Sequence, residues 1–121
     1  TTLDWDAMNA AAKLLLNHTN FKCFSRSKTD VKTYDCKVTE AYWEQSDSEW
    51  VFHISANRFL RNMVRAIVGT LLDVGTGKSS LADFQAILNS EDRTKAGSSV
   101  PAHGLFLTQV QYPNTIFETN G

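Results

Sequence analysis

The stretch RFLRNMVRAIVG, residues 58–69, limits the possible folds more than any other. At about 100° per residue, Phe59, Leu60, Met63, Val64, Ile67 and Leu71 fill one broad side of a helix expected over residues 58–73. A helix this apolar needs a surface to cover, and the chain supplies one just upstream. In EWVFHISA, Trp50, Phe52, Ile54 and Ala56 alternate with Val51, His53 and Ser55, the period of a strand with one apolar face. YDCKVTEAYWEQ precedes it across Ser46, Asp47 and Ser48, so the pair reads as a β-hairpin. Asn57 suits the N-cap of the helix that follows.

The same stretch carries a charge problem. Arg58, Asn62, Arg65 and Gly69 gather on the side opposite the apolar residues, with Arg61 close by. Cations in a first turn oppose the helix macrodipole. Arg58/Arg61 and Arg61/Arg65 also set like charges at i,i+3 and i,i+4, and no acid relieves them before Asp73. One reading is a solvated polar face. The other is a set of arginines whose partners, carboxylates or phosphates, come from outside the helix.

The remaining elements follow the same logic. DWDAMNAAAKLLLNH predicts a helix over about residues 5–17, with Asp4 as N-cap. TNFKCFSRSKTDVKT reads as a polar loop anchored by Phe21 and Phe24, although these rings near basic residues also suit base stacking. Gly75 and Gly77 stop the long helix. Ser80 and Asp83 resemble a capping box for a short helix at about 81–89, with Leu81, Phe84, Ile87 and Leu88 inward. GLFLTQVQY predicts a last strand at about 105–112, and little is expected to order the tail beyond Pro113. Helix, strand, strand, helix, helix, strand is the order of an α+β sandwich, with helices on one face of a mainly antiparallel sheet. Three strands make a narrow sheet whose edges need covering. That need, together with a start at Thr1 rather than Met, leads us to expect a chain cut from a longer protein or set beside another subunit.

Composition removes several functional classes. A chain of 121 residues suits one domain. No apolar run is long enough to span a bilayer, and no signal peptide is visible. Two cysteines, Cys23 and Cys36, and three scattered histidines suggest neither a disulfide framework nor a zinc site, and a reducing cytoplasmic setting is expected. Net charge is −1, but basic residues concentrate between Lys22 and Lys37 and again at Arg58–Arg65. A locally positive face therefore remains open. DVGTGKSS imitates a phosphate loop, but Leu72 stands where that pattern needs glycine, and a helix rather than a strand precedes it. His103 lacks a nucleophile in a recognisable setting and reads as a loop histidine.

Two blocks are more specific in combination. NRFLRNMVRAIVGTLLDVGTGK, then FQAILNSEDRTKAGSSVPAHGLFLTQVQYP, resemble the C-terminal half of the tRNA pseudouridine synthase A family, and HTNFKCFSRSKTDVKT resembles the segment after the first helix of that half. Asn20 stands where the family commonly has Asp. The resemblance covers about residues 3–113, so residues 1–113 are expected to form this C-terminal domain, half of a pseudouridine synthase fold, and residues 114–121 a tail.

The resemblance implies an isomerase that detaches uridine from C1′, turns the base and rejoins it through C5, on the 3′ side of the tRNA anticodon arm, with no cofactor or metal. It also implies a homodimer in which the tRNA contacts both subunits, and no membrane contact is expected. The family's nucleophilic aspartate lies in an Arg-Thr-Asp-Ala-Gly-Val-His motif of the N-terminal half, which is absent from these residues. Asp92-Arg93-Thr94 has similar letters in another order and block and is not that motif.

By the same resemblance, Arg65 matches the arginine that pairs with the missing aspartate. Leu105 is either a wall of the uridine pocket or ordinary core. Arg58 and Arg61 are expected on tRNA phosphates. The competing expectations are a non-catalytic RNA-binding module, or an interaction domain whose sheet edge pairs with a partner.

Overall fold

A computed structural model describes residues 2–26, 33–47, 49–101, 106–112 and 115–120, the last two stretches as backbone. The first helix, α1, is Trp5–Leu14, continued by a 3-10 turn at Leu15–Asn17. Asp4 caps it as expected, its Oδ1 accepting the Ala7 amide at 3.0 Å. Val38–Ser46 forms β1 and Glu49–Ala56 forms β2, an antiparallel hairpin in which Trp43 faces Phe52 and Ala41 faces Ile54. Phe52, Ile54 and Ala56 are buried, so the alternating pattern does mark the inner face.

The loop after α1 behaves as a tethered segment. Phe21 and Phe24 flank and close a 3-10 turn at Lys22–Phe24 and are fully buried, and Phe24 meets Phe84 at 6.1 Å between ring centroids. Burying a ring of this size contributes roughly 1.5–3 kcal/mol, enough to hold a short loop against the core.

The long helix starts later than its sequence suggests. The second helix, α2, is Met63–Gly75, and residues 58–62 form an irregular approach to it. Asn62, not Asn57, occupies the N-cap position, in the left-handed region at φ 67° and without a side-chain capping bond. This start leaves Arg58 and Arg61 out of the helix. Only Arg65 then remains in the first turn, where the macrodipole disfavours cations.

The third helix, α3, is Leu81–Ser90, and Ser80 and Asp83 form the capping box in both directions. Phe84 and Leu88 are fully buried and Ile87 half so, but Leu81 is 45% exposed, against its expected inward place. At the helix's first position it lies beyond the surface that the later turns cover.

Phe106–Tyr112 forms β3. Where a tail with little order is expected, Thr115–Asn120 forms β4, antiparallel to β3. The sheet therefore has four strands in the order β1-β2-β3-β4. β2 and β3 run parallel, pairing Ile54 with Val110 and Ser55 with Gln111, and α2 and α3 lie in the long connection between them. The expected α+β class holds, with the helices packed against a mainly antiparallel sheet.

The β1 edge is covered in part by α1. Asn9 Oδ1 accepts the Trp43 amide at 2.6 Å, and Asn9 Nδ2 donates to the Trp43 carbonyl at 3.2 Å. Trp5 stacks on Trp50 at 4.1 Å, which fixes the same helix over the hairpin.

Candidate functional site

The polar side of α2 does not face open solvent along its length. Residues 97–100 run beside it as a strap without regular secondary structure. Gly69 makes this approach possible, because a methyl group there would overlap the Ser98 carbonyl oxygen. Gly97 is equally confined, since a Cβ would overlap Asp73 Oδ2 and come within 3.2 Å of Thr70 Cα. The Gly97 amide donates to Thr70 Oγ1 at 2.9 Å, and that hydroxyl donates to the Ala66 carbonyl at 2.8 Å.

Arg65 and Val100 clasp each other across this contact. The Val100 amide donates to the Arg65 carbonyl at 3.1 Å, and Arg65 Nε donates to the Val100 carbonyl at 2.8 Å. Arg65 is half-buried and meets no carboxylate among the described residues. Its Nε is committed, and among the described residues Nη1 and Nη2 meet no partner. A guanidinium held this way presents a fixed fork, the arrangement that binds a carboxylate in two-pronged fashion.

The other expected site residues are differently placed. Arg58 Nη1 donates to the carbonyls of Thr33 at 2.9 Å and Asp35 at 3.3 Å, so its charge is tied to the loop before β1. Arg61 is exposed, and its carbonyl accepts the Arg26 amide at 3.1 Å. Among the described residues its guanidinium has no partner. Leu105 and His103 lie outside the described residues.

Next to Arg26 a cavity of about 580 Å³ carries Lys22, Arg26 and Arg93 together with Glu91 and Asp92. The Thr94 hydroxyl and amide both bond to Asp92 and hold its carboxyl below the usual carboxylate range, with smaller help from Lys95 and Lys22. The structure thus brings a second set of cations beside the Arg61 segment. Sequence reasoning leaves a positive face open for the Lys22–Lys37 cations and assigns them no site.

Comparison with known proteins decides what this arrangement belongs to. A family model described as tRNA pseudouridine synthase matches residues 11–113. The chain belongs to the tRNA pseudouridine synthase family. The tRNA pseudouridine synthase A of Porphyromonas gingivalis is 56% identical over 117 residues, which cover 95% of this chain and 46% of that relative. The Bacteroides fragilis protein of the same name is 55% identical over 117 residues, 96% of this chain and 46% of the relative. That of Bacillus licheniformis is 40% identical over 112 residues, 93% of this chain and 45% of the relative. The chain therefore spans about half the length of the curated relatives it matches.

All the arginines above fall within the matched region, which establishes the synthase family without assigning a role to any of them. Sequence reasoning singles out neither Ser99 nor Arg93, whose guanidinium bonds to the Gly97 carbonyl and to Ser99 Oγ. Arg93 belongs to the Asp-Arg block of the family pattern, and Ser99 lies between its Ala-Gly and Pro-Ala blocks. The contacts of Ser99 with Arg93 and Asn62 are set by the fold and leave no mark in the sequence.

Proposed function

We propose that this chain is the arginine-bearing half of an enzyme that converts uridine to pseudouridine in the anticodon arm of tRNA, on its 3′ side. The family match over residues 11–113 carries the reading. In the reaction the bond from C1′ to N1 breaks and a bond from C1′ to C5 forms. C5 loses a proton and N1 gains one, so the rearrangement balances without oxidant or reductant.

Arg65 supplies the electrostatics. A carboxylate nucleophile must be ionised and held still, and a guanidinium at hydrogen-bond distance does both. The clasp with Val100 limits the ways the fork can turn, and the start of α2 adds a favourable field for an anion at this place. The aspartate it would hold comes from the part of the protein outside these 121 residues. Arg61, exposed on the approach to α2, contacts tRNA phosphates. Arg58 adds its remaining donors and its charge to the same contact. Leu105 forms an apolar wall of the uridine pocket. The full enzyme is a cytoplasmic homodimer whose subunits share the tRNA. Among the described residues no helix is long and apolar enough to cross a membrane.

The test uses the full-length protein. Arg65→Ala should lower single-turnover isomerisation by on the order of 10²-fold or more, with tRNA affinity nearly unchanged. Arg61→Ala should weaken tRNA binding and flatten its salt dependence, as expected when one phosphate contact is removed. Normal turnover by Arg65→Ala would refute the pairing role.

A further inference from the structure

We propose that Arg93 is a positioning residue for Arg65, acting through Ser99 and the 97–100 strap. The proposal rests on the reading of Arg65 as the partner of the nucleophilic carboxylate. A guanidinium can hold a carboxylate still only if it is itself held, because its long stem otherwise samples many rotamers. The side-chain anchor of Arg65 is the Val100 carbonyl. That carbonyl belongs to a segment with no helix or strand to place it. Something else must fix the strap.

Arg93 does so with a fork that spans it. Nη1 donates to the Gly97 carbonyl at 3.1 Å, and Nη2 donates to Ser99 Oγ at 2.9 Å, one residue before Val100. No carboxylate among the described residues lies within ion-pairing distance of Arg93. Its charge is directed into the strap and not into a surface ion pair. Asn62 Nδ2 meets the same Ser99 Oγ at 2.6 Å, which ties the strap to the residue that opens α2. Arg93, Ser99, Val100 and Arg65 thus form a continuous chain of contacts, with Gly69 letting the strap lie close enough to close it.

Losing the fork would leave the Gly97 carbonyl and the Ser99 hydroxyl without their cation and let Val100 drift. A misplacement of about 1 Å at a reacting group costs as much as 10²-fold in rate. Part of that is expected here, because the Val100–Arg65 clasp and the Gly97–Thr70 bond remain. Lysine in place of Arg93 keeps the charge but cannot reach both acceptors from one planar group.

The experiment measures single-turnover rate and tRNA affinity in the full-length enzyme. The variants are Arg93→Gln, Arg93→Lys and Ser99→Ala, each alone and combined with Arg65→Ala. Arg93→Gln and Ser99→Ala should each slow turnover about tenfold with tRNA affinity changed less than about twofold, and Arg93→Lys should fall between them and the unchanged enzyme. In the Arg65→Ala background the same substitutions should change the rate less than about twofold, because the group they position is gone. An undiminished loss in that background would show that Arg93 acts independently of Arg65 and overturn the proposal.

Slow Arg65→Ala with normal Arg93→Gln and Ser99→Ala would sink the positioning role alone. Normal Arg65→Ala would remove the role of Arg65 and the relay with it. Should Arg93→Gln fail to fold, Ser99→Ala, which deletes one hydroxyl from the relay, decides the matter.

Discussion

Residues 58–65 show how far charge reasoning reaches. Three arginines with no acid nearby in sequence call for partners, and each finds a different environment. Arg58 is taken up by two backbone carbonyls, Arg61 is exposed, and Arg65 is clasped by Val100. The repulsion argued from helical spacing does not apply to these pairs, because Arg58 and Arg61 precede α2 and only Arg65 lies in the helix. The partner of Arg65 was not legible in the sequence, because it is a main-chain carbonyl 35 residues away in a loop, and nothing in side-chain pattern marks such an acceptor.

The cysteines are simpler. Cys23 is fully buried, and burial pushes its thiol up to about 12, while burial also raises Cys36. The folded state therefore holds the proton above the ordinary thiol value of 9.0, and the unfolded state releases it there. The sign follows: this contribution is intact below about pH 9 and is lost progressively as pH rises toward 12. Neither thiol should react with an aromatic disulfide reagent at neutral pH until denaturant is added, and the melting temperature should fall in alkaline buffer. Rapid labelling of Cys23 in the folded protein would contradict its burial.

Among the elements, α2 is the one whose beginning carries the most consequence. Its apolar periodicity was plain, and so was its end near Gly75, but periodicity continues smoothly through residues 58–62 and cannot show where the hydrogen bonds begin. The Arg26 amide on the Arg61 carbonyl and the Arg58 contacts with Thr33 and Asp35 hold that segment to the preceding loop instead. The capping box of α3, by contrast, was readable from Ser80 and Asp83 alone, since it is made within one turn.

The contact between α2 and the strap gives a prediction at this scale. Gly69→Ala should destabilise the protein by about 1–3 kcal/mol, since the new methyl meets backbone atoms of Ser98 that cannot move aside like a flexible side chain. Urea unfolding measures this directly. An unchanged midpoint would mean that the strap yields freely, against its bonding to Thr70, Arg65 and Arg93.

At the scale of the whole molecule, the two ends of the sheet differ in what covers them. β1 has part of its outer edge taken by Asn9, and β4 is the other end of the strand order. The family match spans less than half of each relative's length. The chain of residues 1–121 alone is accordingly expected to show no conversion of a tRNA substrate in a tritium-release assay, because the proposed function takes its nucleophile from the remainder. Turnover by the isolated chain would require a nucleophile among these residues and would end the present division of labour.

Short-range periodicity and contiguous blocks of residues sufficed for the α+β class, the hairpin, the caps at Asp4 and Ser80, the burial of Phe21, Phe24, Phe52 and Phe84, and the family. The start of α2 at Met63, the pairing of residues 115–120 with β3, and the bond from Arg93 to Ser99 beside Val100 came from long-range packing. These depend on contacts between segments far apart in the chain, where one backbone carbonyl or one missing Cβ outweighs local preference.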